Sequence, residues 1–401
     1  MKLPLEGFRV LDWTVWQAGP GAGMILGDLG ADVIKIEDRT TGDPSRGMEQ
    51  GTGVTSGGVT RQAYFESNNR NKRGMVLDLR KAKARDIVYQ LAAKSDVFIT
   101  NFRESVVTRY GMDYDALCKH NPRIVYGLIS GNGTKGPETE VRSYDALGQA
   151  RSGIMLASHP DQPLYVLGGI GDGEAGIMCA FGVTVALLAR ERQGIGQKVE
   201  TSLLSSLLFQ QWVGLGFTYI GGHSIYPMSR TQTMNPLALG YKCGDGQWLY
   251  MMHPEADRFW PNICKAMGLQ HLQHDPKFDN IQHRRQNCEE FVRMMDGIFA
   301  TKSRDEWIRV LRENDCVVER VNRFEDIVKD PQVIANNYLP EFDHPIHGKT
   351  RYAPIPFEFS KTPGALRRPA PEFGQHTEEI LTETLGYNWD QISELKNAQV
   401  I

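Results

Sequence analysis

The sequence lacks the short patterns that mark several common enzyme classes. It contains no GxxxxGK[ST] loop for nucleoside triphosphates, no GxSxG elbow of a serine hydrolase and no HExxH motif of a zinc protease. The loosely clustered His271, His274 and His283 have no recognised ligand spacing, so we expect no metal site. These absences disfavour hydrolases, metalloenzymes and Walker-type nucleotide binding.

A strong charge imbalance and long apolar runs are also missing. Lys plus Arg number 45 against 48 Asp plus Glu, which gives no global attraction to nucleic acid or to an anionic membrane. The six cysteines contain no CxxC pair, which argues against a disulfide framework. The longest nearly apolar run, residues 177–189, is too short to span a bilayer, and the first residues lack a signal-peptide core. We therefore expect a cytoplasmic protein without nucleic-acid or membrane partners.

Strand-like and helix-like segments alternate through the first half of the chain. Helix-compatible sequence separates five apolar runs: FRVLDWT (8–14), ADVIKIE (31–37), GMVLDL (74–79), DVFITNF (96–102) and RIVYGLIS (123–130). Such alternation is typical of βαβ units and a parallel sheet buried on both faces. The pattern predicts a doubly wound, Rossmann-like α/β domain.

The chain is longer than a single hydrophobic core usually grows, so we expect two lobes. The large domain is predicted to cover residues 1–215, and the glycine-rich GLGFTYIGG (214–222) suggests a linker. The hairpin-like GYKCGDGQWLYMM (240–252) and charged helices predict a smaller α+β domain over 216–330. Residues 331–401 are expected to return and complete the large domain with a C-terminal helix, which Thr377 would cap.

The turn Gln17–Gly23 after the first strand resembles a dinucleotide-binding loop, with Glu37 about 20 residues later. The third glycine of that motif is missing, because Met24 or Leu26 occupies its place. This departure disfavours NAD. The glycines serve either a tight turn alone or a ligand bound at the end of the strand.

Several cations stand near predicted strand ends and loop edges of a slightly acidic chain. They are Arg39, Lys72, Arg73, Arg80, Arg103, Arg109 and Arg142. Together they predict a local polyanion site, although each one taken alone is more typical of a solvated surface.

Asp172 lies between Gly171 and Gly173, just before an apolar helix-compatible run. One interpretation makes it the N-cap of that helix. The other makes it a nucleophile beside free backbone amides that stabilise an oxyanion. The spacing alone does not choose between them.

Eight motifs in a common order over most of the chain resemble the class III CoA-transferases, which include formyl-CoA, carnitine and 2-hydroxyacyl CoA-transferases. The motifs are VLDWTVWQAGP (10–20), ADVIKIE with GDPSRG (31–47), NRNKRGMVLDLR (69–80), DVFITNF with RYG (96–111), SYDALGQARSG (143–153), GDGEAG (171–176), GQKVETSL (196–203) and GQHTEEIL (374–381).

The resemblance implies that Asp172 attacks an acyl-CoA donor to form a mixed anhydride and then an aspartyl-CoA thioester, from which CoA passes to a carboxylic acid. It places Gln17 beside Asp172 as a hydrogen-bond donor. Coenzyme A is then a substrate, and no permanently bound cofactor is expected. The CoA contacts it implies are Ala18, Arg39, Leu77, Arg80, Asn101, Phe102, Arg109, Arg142 and Tyr144.

The resemblance also implies an interlocked homodimer. A related class, the acyl-CoA racemases, is the alternative, but its catalytic histidine would stand at Tyr144. The glycine run that closes over the site in formyl-CoA transferase is missing from GYKCGDGQW (240–248). The acceptor acid and any replacement lid are left open, with an apolar acid as the working guess.

Overall fold

The computed structural model describes residues 2–47, 63–159 and 161–401. The chain divides into two compact units. The larger unit comprises Met1–Ile225 with Tyr338–Ile401, and the smaller unit comprises Tyr226–Asn337. The two units are described in turn.

Six strands of the larger unit form one sheet in which every neighbouring pair is parallel. They are β1 Arg9–Trp13, β2 Asp32–Asp38, β3 Lys72–Leu77, β4 Val97–Thr100, β5 Val125–Ser130 and β6 Gln197–Ser202. Their order is β3-β2-β1-β4-β5-β6, so the winding direction reverses between β1 and β4. The doubly wound α/β class predicted from the sequence is confirmed.

Helices cover both faces of this sheet. Those that precede the smaller unit are α1 Ala18–Asp28, α2 Ala63–Asn69, α3 Ala82–Ala93, α4 Glu104–Tyr110, α5 Tyr114–Cys118, α6 Asp145–Ser152, α7 Ile154–Ser158, α8 Ile170–Gln193, α9 Leu203–Gln210 and α10 Trp212–Tyr219. Alternating residues of the strands feed two apolar layers. Leu11 packs in the layer built by α3 and α4, and Val10 packs in the layer built by α1 and α8.

Helix α8 lies very close to α1. A Cβ added at Gly176 would stand 2.8 Å from the backbone oxygen of Ala18, so only glycine permits this approach. The opposite face of α8 is apolar and exposed at Ile177, Phe181 and Leu188. With 24 residues, the helix is longer than its apolar run indicated, and it is long and apolar enough to cross a membrane by length and composition. Its inner face belongs to the core of the larger unit, which is a common reason for such composition.

The smaller unit contains an antiparallel sheet of β7 Gly240–Lys242, β8 Trp248–Met251 and β9 Val318–Val321. The predicted hairpin over residues 240–252 is confirmed. Tyr241, Trp260 and Phe291 lie in its core. Its helices are α11 Ala256–Met267, α12 Ile281–Gln286, α13 Cys288–Phe299, α14 Arg304–Arg312, α15 Phe324–Ile327 and α16 Pro331–Ala335.

After the smaller unit, the chain returns to the larger one through the hairpin of β10 Glu341–His344 and β11 Gly348–Arg351 and then forms α17 Thr377–Leu385 and α18 Trp389–Asn397. Two sequence predictions are wrong, one for residues 214–222 and one for Thr377. The expected linker over 214–222 is largely helical, because the backbone bonds of α10 continue across its glycines. Thr377 is the first helical residue of α17 and not its cap.

Two lysine–carboxylate pairs lie buried between the sheet and the turn that follows β1. Lys35 Nζ contacts Asp43 at 2.8 Å, and Lys72 Nζ contacts Asp12 at 2.7 Å, with all four side chains fully buried. Each ammonium also donates to a backbone oxygen, Lys35 to Thr14 in the turn after β1 and Lys72 to Pro20 in the first turn of α1. Burial lowers the pKa of Lys72 to about 8 despite the attraction of Asp12. These pairs join three neighbouring strands to the turn that follows β1.

Replacing Lys72 by methionine would leave the Asp12 carboxylate buried without its cation. We expect the free energy of unfolding to fall by about 3–5 kcal/mol. Arg309→Met, which removes an exposed pair with Glu313, is the matched control and should cost at most about 0.5 kcal/mol. Urea denaturation followed by circular dichroism measures both, and equal losses would contradict the structural role of the Lys72–Asp12 pair.

Candidate active site

The turn between β1 and α1 lies where the order of the sheet reverses, which is where open α/β sheets bind ligands. Asn101, which directly follows β4, accepts from the Val15 N–H at 2.9 Å and donates to the Val15 oxygen at 2.7 Å. Trp16 has a left-handed φ of 68°, and its N–H donates to Asp43 at 3.2 Å. Side chains from two neighbouring segments therefore fix the backbone of this turn.

Two cavities of about 460 Å³ and 410 Å³ open beside this turn. They share Val15, Trp16, Phe102 and Val106 as lining residues, so a single extended ligand can contact both. Asp172 lines the first cavity. Their combined size and their place at the switch point suit a large cofactor-like molecule.

Nine of the eleven site residues predicted from the sequence line these cavities. The first cavity is lined by Ala18, Asn101, Phe102, Arg142, Tyr144 and Asp172, and the second by Leu77, Arg80, Phe102 and Arg109. Gln17 and Arg39 are not among the lining residues. The Arg39 Nε donates instead to the backbone oxygen of Ile401 at 2.7 Å, so this cation is engaged at the edge of the sheet.

Aromatic and cationic side chains meet in the second cavity. The ring of Trp13 lies 4.5 Å from that of Phe102 and 5.9 Å from that of Tyr110. The Arg109 guanidinium lies 5.2 Å from the centre of the Tyr110 ring. Arg80 is exposed and contacts Asp78 at 2.6 Å. An aromatic wall edged by arginines suits a planar base that carries phosphates.

Asp172 is the third residue of α8 and not its N-cap, so that interpretation is wrong. Gly169 takes the capping position with a left-handed φ of 69°, and it has no side chain to cap the helix. The Asp172 carboxylate is thereby released from capping and faces the first cavity. This placement keeps the nucleophile interpretation.

The carboxylate of Asp145 supplies the missing cap. Its Oδ1 accepts the N–H of Gly171 at 2.7 Å and of Asp172 at 3.3 Å. The expectation of free backbone amides beside Asp172 is therefore wrong for these two N–H groups, because a buried acceptor from α6 already uses them. Oxyanion stabilisation must come from other donors.

Gln17 ties the β1–α1 turn to the start of α8. Its Nε2 donates to the backbone oxygens of Gly168 at 3.2 Å and Gly169 at 3.1 Å, and its Oε1 accepts from the Tyr64 hydroxyl at 3.1 Å. Gly169 has a left-handed φ of 69°, and a Cβ there would stand 2.3 Å from the Gln17 Oε1, so a larger residue would be strained and would displace the Gln17 amide. Gln17 thus contacts the residues that immediately precede α8, the helix that carries Asp172.

Burial, reinforced by the nearby Asp145 carboxylate, raises the pKa of Asp172 to about 7. Burial, together with the hydrogen bond to Asp145, raises the pKa of Tyr165 to about 12. Burial also raises the pKa of Tyr64, with Asp172 as the next cause. Among these three neighbours, Asp172 is the one that changes charge near neutral pH, which is typical of functional carboxylates.

Sequence reasoning missed several residues of this site. Asp145 lies inside the motif SYDALGQARSG (143–153) but received no role, although its spacing of four from Gln149 places the two on one helix face. Trp16 lines both cavities, and Tyr64 contacts Gln17. Trp16 lies inside the motif VLDWTVWQAGP (10–20) without an assigned role, and no quoted motif contains Tyr64, which only the folded chain brings to the turn.

Another group of ionisable side chains lies outside both cavities. Glu66, His344 and His347 place ligand-type atoms within 4.8 Å of one another. The Nδ1 of His344 accepts the backbone N–H of Ile346 and His347, so the ring proton lies on Nε2, 3.4 Å from the Glu66 carboxylate. A protonated ring nitrogen does not ligate a metal ion, so the geometry favours a His344–Glu66 contact over a metal site.

Comparison with known proteins places this geometry in context. The model of CoA-transferase family III matches residues 5–377. The chain is similar to the cinnamoyl-CoA:phenyllactate CoA-transferase of Clostridium sporogenes, with 29% identity over 98% of this chain and 95% of the relative. It is also similar to the succinyl-CoA:glutarate CoA-transferase of Mus musculus, with 32% identity over 99% of this chain and 90% of the relative.

A solved structure shares the fold. The crystal structure of a CaiB/BaiF family protein from Brucella suis superposes with a TM-score of 0.86 at 27% identity, covering 96% of this chain and all of that one. The architecture described above is therefore that of an experimentally determined relative.

We expect Asp172 to titrate near pH 7 in the protein without ligand, because burial and Asp145 both disfavour its charged form. Carbon-13 NMR of protein labelled at the aspartate carboxyl carbons measures this, and Asp172→Asn identifies the signal by its disappearance. A midpoint near the ordinary aspartate value of about 4 would contradict the expectation.

Proposed function

The chain belongs to CoA-transferase family III, and we propose that it transfers coenzyme A from an acyl-CoA donor to a carboxylic acid through covalent intermediates on Asp172. The observation that carries this proposal is the position of the Asp172 carboxylate. It lines a cavity that adjoins an aromatic, arginine-edged cavity, and both hold residues expected to contact CoA.

The chemistry begins with attack of an Asp172 carboxylate oxygen on the thioester carbonyl of the donor. The carbon–sulfur bond breaks, which gives a mixed anhydride and CoA thiolate. The thiolate then attacks the Asp172 carbonyl carbon and releases the donor's acyl group as a free carboxylate. An aspartyl-CoA thioester remains on the enzyme, so the energy of the thioester is conserved.

The acceptor acid runs the same two steps in reverse. Its carboxylate attacks the aspartyl thioester and expels CoA thiolate, which forms a second anhydride. The thiolate attacks the acceptor's carbonyl carbon, which yields the new acyl-CoA and restores the Asp172 carboxylate. Every nucleophile in the cycle is an anion. The site must exclude water, because water would hydrolyse the reactive intermediates.

We propose that the nucleotide part of CoA occupies the second cavity. Phe102 would pack on the adenine, and Arg80 and Arg109 would meet phosphates at its edge. The pantetheine arm would cross the shared wall at Val15 and reach Asp172 past Ala18 and Tyr144. Arg142 at the first cavity is a further phosphate candidate. Arg39 would join them only after exchanging its bond to Ile401.

We assign Gln17 to the intermediates. Its Nε2 points to the two glycines before α8, so it can exchange a glycine carbonyl for an oxygen of the anhydride. The racemase alternative is not favoured, because the relatives are named as CoA-transferases and residue 144 is tyrosine. CoA thioesters are substrates in this scheme, and no resident cofactor is required.

We also propose a homodimer in the cytoplasm. The exposed face of α8 presents Ile177, Phe181, Val185 and Leu188 at helical spacing, and each side chain is about half exposed or more. An apolar stripe of this kind on a long helix is typical of a subunit interface. The occupant we propose is a second copy of this chain.

Asp172→Asn should retain acyl-CoA binding and lower turnover by roughly 10⁴-fold or more, because the covalent nucleophile is lost. The measurement is mass spectrometry of the acyl-CoA products from a donor panel with a pool of free carboxylic acids, which also identifies the acceptor. Intact-protein mass spectrometry should show an acyl or CoA adduct on the unmutated enzyme alone.

Asp161→Asn, at an exposed aspartate before α8, is the matched control and should behave like the unmutated protein. Full turnover in the Asp172→Asn variant would remove the central claim. Absence of products and adducts across a broad panel with the unmutated protein would remove the transferase assignment.

Phe181→Glu should convert the dimer to a monomer, because it places a charge at the centre of the apolar stripe of α8. Light scattering coupled to size-exclusion chromatography measures the mass. Trp389→Glu changes a side chain of similar exposure on α18 and should leave the dimer intact. A monomeric mass for the unmutated protein would refute the proposed interface.

A further inference from the structure

We infer that Asp145 is the positioning residue of the nucleophile: its carboxylate seats the turn that carries Asp172 and holds a negative charge beside it, and Gln149 orients that carboxylate. This role rests on the proposed function of Asp172. Asp145 does not touch the reacting atoms in this assignment, because it acts through the backbone and the field at residue 172.

The first support is the way α8 begins. A helix start needs acceptors for its first N–H groups, and Gly169 at the capping position offers no side chain. Asp145, whose residue surface is only 6% exposed, accepts two of these N–H groups through Oδ1. A Cβ at Gly171 would stand 2.9 Å from the same oxygen, so the turn is built to let this carboxylate approach.

The second support is the partner of Asp145. Gln149 is fully buried one turn later on α6, and its Nε2 donates to Asp145 Oδ2 at 2.8 Å and to the Val166 oxygen at 2.9 Å. Its Oε1 accepts the Val166 N–H at 3.1 Å. Gln149 therefore fixes the rotation of the Asp145 carboxylate and also holds the segment that leads into α8. Both ends of residues 166–172 are attached to α6.

The third support is electrostatic. Asp145 is buried and accepts N–H donors, whereas Asp172 is partly exposed and lines the first cavity. Like charges at short range raise the cost of ionising the second group. A more basic carboxylate is the stronger nucleophile, and it is the poorer leaving group when the tetrahedral intermediate expels thiolate. The charge of Asp145 thus favours breakdown of the tetrahedral intermediate to the anhydride and CoA thiolate over its return to the thioester.

Other ionisable groups near this pair are few in the described part of the chain. Tyr165 and Tyr64 have pKa values raised by burial, and both stay protonated near neutral pH. Glu174, two residues after Asp172, has a pKa raised by burial alone. A pH profile between 5 and 9 should therefore report mainly Asp172, with Glu174→Gln as the check on its neighbour.

The test is a pair of variants that separates charge from hydrogen bonding. Asp145→Asn keeps one oxygen for the N–H groups of α8, but its amide nitrogen then faces the Gln149 amide nitrogen. The double variant Asp145→Asn/Gln149→Glu restores an acceptor opposite that nitrogen and keeps the net charge. It transfers the negative charge from residue 145, which accepts the N–H groups of α8, to residue 149, which does not.

We expect Asp145→Asn to lower the rate of CoA release in the first turnover by about 10–100-fold, with KM for the donor changed less than about 3-fold. The midpoint of its pH profile should fall by about one pH unit. The double variant should recover only part of the thermal stability, because the Val166 oxygen loses the Gln149 donor, and it should keep the lowered midpoint. Asp390→Asn, an exposed acid in the first turn of α18, should change nothing.

A pH midpoint in Asp145→Asn equal to that of the unmutated enzyme would overturn the inference. So would a double variant that restores rate and midpoint together, because the role would then be structural. The midpoint is also read without substrate, from the carbon-13 signal of Asp172. A shifted signal in a protein that transfers no CoA would refute the proposed function while it supports the pairing of Asp145 with Asp172.

Discussion

The buried lysine–carboxylate pairs beside the turn after β1 are the constraint on which the site depends. Each ammonium gives up its hydration, and the nearby carboxylate and backbone oxygens of the turn compensate for that cost only if they hold their positions. Because these partners must stay in place, Lys35 and Lys72 fix the backbone of residues 14–20 through their bonds to Thr14 and Pro20. Asn101 and Asp43 complete the frame from neighbouring segments. The rigid turn then presents Gln17 to the start of α8.

The start of α8 shows how one sequence feature serves two needs. Its glycines allow a left-handed turn, a close approach to Gln17 and a close approach to Asp145. Gly169 leaves the helix without a side-chain cap, and Asp145 of α6 accepts the N–H of Gly171 instead. The cap brings a negative charge close to the partly buried carboxylate of Asp172. The start of a helix ordinarily favours the charged form of an aspartate. Here burial and the charge of Asp145 instead raise the pKa of Asp172 to about 7.

In the proposed function, two adjoining cavities of the larger unit divide CoA binding from the chemical steps. The aromatic and arginine-edged cavity offers contacts for a nucleotide, and the adjoining cavity offers the carboxylate. Phe102 and Val15 belong to both, so the binding energy gained in one cavity can position the reacting group in the other. The family comparison supports a CoA thioester as the molecule that spans them. The relatives act on different acids, so acceptor choice is a separate property from CoA binding.

The sequence by itself determined the α/β class, the alternation of strands and helices, the family and the candidate nucleophile. These follow from local apolar periodicity and from contiguous motifs, which do not require knowledge of distant contacts. Only the tertiary structure decided that α8 starts at Ile170, that Asp172 is not its cap, and that Arg39 bonds to Ile401. It alone revealed Asp145 as the capping group, since residues 145 and 171 meet across 26 positions of sequence. The pKa of Asp172 likewise depends on burial and on that neighbour, and neither can be read from residues adjacent in the chain.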